Sequence, residues 1–162
     1  MNRQPRIVEL APKLLVGMSL DMSRLDDRTG QLWGAFMRRR DEVTNRLTDE
    51  YISMQVYPEG VDQLADPAAR FSKWAVVEVE DLDHVPDGML AYTLQAGTYA
   101  VFEHNGPATD LSTFTYIFTG WLPGSSDFEL DGREHFEILP PGYDARDPNA
   151  REQIWIPVKR RG

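Results

Sequence analysis

One acidic residue stands where strand chemistry gives no reason for it. Glu137 lies in the middle of the run His135-Phe136-Glu137-Ile138-Leu139. Strand alternation puts it on one face with His135 and Leu139, and puts Phe136 and Ile138 on the other. A carboxylate in that place faces either solvent, as on any open sheet face, or a pocket. In an apolar pocket it needs a partner, which a cationic ligand supplies. Burial also raises its pKa, which makes Glu137 a candidate general base. The second resource is aromatic. Trp33, Phe36, Phe118 and Trp121 fall on predicted helices, and Tyr51, Tyr57, Trp74, Tyr99, Phe102, Phe136 and Trp155 on predicted strands. Singly these are ordinary core residues. Together they suffice for an aromatic-walled pocket, whose ring faces hold flat apolar ligands and attract cations.

Other chemistries find less support. The absence of cysteine excludes a disulfide framework, a thiol nucleophile and Cys-ligated zinc. His84, His104 and His135 have no metal spacing, so neither a metal nor a cofactor is expected. No glycine-rich phosphate loop is present. Ser112, Ser125 and Ser126 lack a nucleophile-elbow context. Glu103-His104, at a strand end before Asn105-Gly106-Pro107, read as solvent-exposed.

The net charge of −9 opposes sequence-independent binding to phosphates and leans towards a cationic partner. Arg38-Arg39-Arg40 and Lys159-Arg160-Arg161 read as a solvated helix face and a charged tail. With no secretory pattern and no apolar run long enough to span a bilayer, the expectation is a cytoplasmic protein with no membrane association. No direct nucleic-acid binding is expected, and the protein reads as a monomer or weak dimer with a possible protein partner.

The elements that must position Glu137 come in two rounds. Pro5 to Met22 is extended, with a break at Ala11-Pro12. Asp26, Asp27 and Thr29 offer cap chemistry, and Leu32, Trp33, Phe36 and Met37 recur at helical spacing. This predicts a helix over Thr29–Arg46. Strands follow at Tyr51–Tyr57 and Lys73–Glu80. After the turn-rich Asp81–Gly88 the pattern restarts, with extended Leu90–Gln95, a strand over Thr98–Glu103, and a helix from Asp110 to Leu122 ended by Pro123-Gly124. Strands at Glu134–Leu139 and Gln153–Val158 complete it.

The repeat is the most informative feature. Glu9-Leu10-Ala11-Pro12 precede Leu94-Gln95-Ala96-Gly97 by 84 to 85 positions, and Gln55 through Gly60 answer Glu137 through Gly142 at 82. Gln55 is therefore the counterpart of Glu137. The expected fold is α+β, a single domain over residues 1–162. It holds duplicated βαββ units (about 5–80 and 89–159) related by pseudo-two-fold symmetry, in a mainly antiparallel sheet with two helices. The seam between the halves is a natural central ligand cleft.

The stretch Leu94-Gln95-Ala96-Gly97-Thr98-Tyr99-Ala100-Val101-Phe102-Glu103-His104-Asn105-Gly106-Pro107 resembles the L-P-A-G-x-Y-A-V-F-x-H-x-G-P signature of GyrI-like domains. These are the effector-binding domains of AraC- and MerR-type multidrug regulators. Phe118-Thr119-Gly120-Trp121-Leu122-Pro123 is similar to their Y-G-x-W-L-P helix ending. Phe128-Glu129-Leu130, Phe136-Glu137-Ile138 and Ile154-Trp155-Ile156-Pro157-Val158 resemble the pieces that follow. The first half matches through Val8-Glu9-Leu10, Leu32-Trp33, Phe36 and Tyr57. The resemblance implies a duplicated βαββ fold and an aromatic cleft with a functional glutamate, here Glu137. It also implies ligand-contacting roles for Trp121, Tyr57 and Phe36. Leu139-Pro140-Pro141-Gly142 depart from the Y-L-N-D-P that often follows the family's glutamate, so the loop over the pocket differs.

Three functions remain open. The leading one is a free-standing domain that binds apolar or cationic aromatic compounds. Glu137 pairs with the charge, and Trp33, Tyr57, Phe36, Trp121 and Trp155 form the walls. The second is a hydrolase of strained, cyclopropanoid-type electrophiles, with Glu137 activating water. The third is a protein-interaction or inhibitor module.

Overall fold

The computed structural model describes residues 4–60 and 65–162. Within these residues nine strands run β1 (Arg6–Leu10), β2 (Lys13–Met22), β3 (Tyr51–Val56), β4 (Phe71–Glu78), β5 (Leu90–Leu94), β6 (Gly97–Asn105), β7 (Phe128–Leu130), β8 (His135–Leu139) and β9 (Arg151–Arg160). Helix α1 (Thr29–Arg39) follows β2. After β6 comes a helical segment of three parts: α2 (Ser112–Tyr116), a π-helical turn (Ile117–Trp121) and α3 (Leu122–Gly124).

Eight strands form one antiparallel path, β1-β6-β9-β8-β3-β4-β2-β5, with β7 added on β9. Exchanging β1 with β5, β2 with β6, β3 with β8 and β4 with β9 reverses this order onto itself. The expected pseudo-two-fold is therefore present. It passes between β3 and β8 at the Met54–Phe136 rung, since Gln55 pairs with His135 just as Ser53 pairs with Glu137. The repeat extends to detail. Asp27 Oδ1 accepts the Thr29 backbone N–H at 2.9 Å at the start of α1, and Asp110 Oδ1 accepts that of Ser112 at 3.0 Å at the start of α2. The halves also exchange their first strands: β1 pairs with β6 of the second half, and β5 with β2 of the first.

The two sheet faces differ. One carries a buried cluster drawn from both edge strands and from the centre, including Leu10, Leu94, Tyr99, Met54, Phe136 and Trp155. Laid flat, eight strands at about 4.8 Å spacing would hold the edges roughly 34 Å apart. A shared cluster therefore requires the sheet to curl over this face. The other face carries two separate cores, one under α1 with Leu32 and Phe36, the other under the 112–124 segment with Phe102 and Ile117. Gly17, where β2 sits between β4 and β5, is demanded by closeness: an added Cβ would collide with the Ala75 carbonyl oxygen.

Both predicted helices need correction. The first ends at Arg39 instead of Arg46, because Arg40–Glu42 tighten into a 3₁₀ turn and Arg46 bridges to Val79 as extended chain. The second does not run as a uniform α-helix. Leu122 N–H reaches Ile117 O, five residues back, and Thr119 Oγ1 donates to Thr115 O at 2.6 Å; such side-chain back-bonding bends helices.

Candidate functional site

Between α1 and the 112–124 segment lies a cleft of about 1210 Å³, floored by the central strands. The repeat dictates this, because two helices related by an axis through β3 and β8 leave that strand pair uncovered on their own face. The floor presents Ser53 and Gln55 from β3, Lys73 from β4, and His135 and Glu137 from β8. The walls are Trp33 from α1, Tyr57 and Phe71 from the ends of β3 and β4, and Phe114 and Phe118 from the second helical segment. Tyr57 meets His135 edge-on at 5.1 Å, and Phe118 lies nearly parallel to the same imidazole at 6.2 Å.

Glu137 occupies the place that alternation assigned it. Its Oε2 is buried and has no hydrogen-bond partner among the described residues. Burial pushes its carboxyl up to about 7, the nearby Glu152 charge adds to this, and Lys73 and a Gln55 side-chain hydrogen bond oppose it. The counterpart Gln55 thus sits beside Glu137 on the same face. Burial holds His135 down to about 4, so its imidazole is neutral at physiological pH. Tyr57 is raised by burial and by the Glu137 charge, and stays a neutral phenol. Glu152, which also lines the cleft, is raised by burial too. The Tyr143 hydroxyl donates to its Oε2 at 3.2 Å.

The structure brings Trp33, Tyr57 and Glu137 together in the cleft. Phe36 and Trp121 lie outside the cleft, and Trp155 lies at its border. Phe36 is fully buried behind the wall, packed edge-on against Trp33 and Tyr51. Trp121 lies against Phe102 beneath the second helical segment and borders a different, shallower hollow. Trp155 borders the cleft, but its register opposite Phe136 turns the indole to the far face of the sheet. There it stacks on Phe136 at 5.1 Å and 18° and joins the curled-face cluster with Tyr99. His104, read as exposed, is buried, with its Nδ1 2.7 Å from Thr113 Oγ1.

The sequence reading passed over Lys73, Phe71, Phe114, Tyr143 and Glu152. Parity held a signal for Lys73, which shares its strand face with Ala75 and Val77, both packed under α1. Among the described residues no group of His, Asp or Glu side chains is arranged to hold a metal ion. Among the same residues no helix is long and apolar enough to cross a membrane.

Residues 6–158 match the family of Cass2, the integron-associated effector-binding protein. The chain is 30% identical to the transcriptional regulator BrlR of Pseudomonas aeruginosa over 97% of its own length, and spans 56% of that relative. The structure of SAV2435 bound to tetraphenylphosphonium superposes with a TM-score of 0.67 at 17% identity, covering 96% of this chain and 94% of that one. A hydrolase from Listeria innocua superposes with a TM-score of 0.60 at 12% identity, covering 97% and 92%.

Proposed function

We infer, for a chain that belongs to the Cass2 family of integron-associated effector-binding proteins, that its cleft captures hydrophobic cations. The observation that carries this reading is the Glu137 carboxylate, which has one buried oxygen without a hydrogen-bond partner among the described residues, on the floor of an aromatic-walled cavity. An unpaired buried acid is costly. A cation that enters the cleft relieves that cost, while Trp33, Tyr57 and Phe118 give it apolar and π-face contact. At about 1210 Å³ the cavity exceeds the roughly 300–1,000 Å³ of drug-sized sites, which suits bulky compounds. SAV2435, of similar fold, is bound to tetraphenylphosphonium, a cation of this class. The regulator BrlR, of which this chain matches about half, and the effector-binding family support a role in transcription control through a bound small molecule.

The test is a thermal-shift comparison of tetraphenylphosphonium with neutral triphenylphosphine oxide. A rise in melting temperature confined to the cation, and reduced in Glu137→Gln, is expected. Equal responses to both compounds would show that charge is not read.

A second reading, hydrolysis of strained electrophiles, draws on the titration of Glu137. A carboxyl near 7 is matched to general-base work at neutral pH. Product formation from a cyclopropanoid substrate that is abolished by Glu137→Gln would establish it.

A further inference from the structure

We propose that the cleft selects ampholytes, flat apolar compounds that carry an anionic group for Lys73 as well as a cationic group for Glu137. The inference rests on the cleft reading above and narrows its ligand class.

Lys73 and Glu137 share the cleft floor and carry opposite charges, yet they do not pair. Among the described residues Lys73 makes no ion pair, and its Nζ has a single hydrogen bond, to Thr29 Oγ1 at 3.3 Å. An ammonium has three protons to place, so two have no acceptor among the described residues, although the Asp27 and Glu152 carboxylates lie near enough to feel its charge. Thr29 holds the ammonium where it is, because its hydroxyl donates onward to Asp27 Oδ1 at 2.6 Å. Glu137 is short of a partner in the opposite sense, with no donor to Oε2 among the described residues.

The register explains why the two stay apart. Lys73 pairs with Gln55, and Gln55 pairs with His135, whereas Glu137 pairs with Ser53. Two strand spacings, about 10 Å, separate their backbones across the sheet, and they also sit on different rungs. The cleft thus offers two charged recognition points of opposite sign with aromatic walls around them. A simple monocation seated at Glu137 keeps Lys73 as a like-charged neighbour. A ligand that adds a carboxylate on the Lys73 side turns this repulsion into attraction, and the pair of charges fixes its orientation.

The test uses one dye scaffold in two charge states, rhodamine B as the zwitterionic acid and its methyl ester as the cation, followed by fluorescence polarisation. Wild type should bind the acid more tightly than the ester. Lys73→Met should weaken the acid about tenfold, one ion pair's worth, and leave the ester equal or tighter. Lys73→Arg should preserve the wild-type order, which separates charge from packing. Wild type preferring the ester, or Lys73→Met affecting both dyes alike, would overturn the proposal. Binding of tetraphenylphosphonium with neither dye bound would overturn this proposal alone. Failure of all three compounds would sink the cleft reading with it.

Discussion

Removing the Glu137 charge should stabilise the free protein, and by an amount that depends on pH. In wild type the carboxyl ionises near 7 in the fold, against an ordinary 4.5. Between those values the folded state holds a proton that the unfolded state has lost. Stability therefore falls as pH rises through this window. At about 1.4 kcal/mol for each pH unit, the loss amounts to up to about 3 kcal/mol above pH 7. A glutamine amide has no such proton to lose, so the Glu137→Gln variant escapes it. The two proteins should be equally stable near pH 4.5, and the variant should melt about 6–12 °C higher at pH 8 for a chain of this size.

A second titration sharpens the test. His135 is depressed from 6.5 to about 4, so below its ordinary value the unfolded state holds the extra proton and stability rises with pH. The two slopes oppose each other across about pH 4.5 to 6.5, and wild type should show a flat profile there from these groups. The variant should expose the His135 slope. Melting curves of both proteins from pH 4.5 to 8.5 without ligand provide the assay. A constant difference between them at every pH, or a variant less stable at pH 8, would refute the idea that Glu137 is a buried unpaired acid.

Four further outcomes follow from the same geometry. The affinity for tetraphenylphosphonium should climb up to about tenfold per pH unit below 7 and level off above it, as read by calorimetry; an affinity independent of pH would contradict the Glu137 pairing. Phe118→Ala, which opens a wall, should weaken that ligand by about 1–2 kcal/mol, whereas Trp121→Ala, under the other side of the helical segment, should leave affinity unchanged. Phe36→Ala should lower stability by about 3–5 kcal/mol through its buried packing, as seen in denaturant melts. Gly17→Ala should destabilise at least as strongly, because its Cβ meets the β4 backbone and cannot be relieved by a side-chain rotation.

The sequence carried the architecture because the repeat is written in punctuation. Breaks at Ala11-Pro12 and Ala96-Gly97, and strand stops at Pro58 and Pro140, fix the order of elements in each half, and symmetry then places the seam. What punctuation cannot encode is which strand crosses over, so the exchange of β1 and β5 between halves had no local signal. Glu137 was legible because a charge inside an apolar alternation stands out. So was Trp33, but Trp121 and Trp155 were not. In Ile154-Trp155-Ile156 all three residues are buried, since both faces of β9 are covered, and alternation between two covered faces does not mark the ligand side. Phe36 and Trp121 followed helical spacing correctly, but spacing identifies the buried stripe and not the rim beside it. His104 misled because a strand end before a turn is usually wet, whereas here the 112–124 segment closes over it through Thr113.

The measurement that bears most directly on the account is a carboxyl-carbon NMR titration of Glu137, with and without saturating tetraphenylphosphonium. The account predicts a midpoint near 7 in the free protein and a fall of one pH unit or more when the cation is bound. A midpoint near the ordinary carboxylate value, unmoved by the cation, would contradict it.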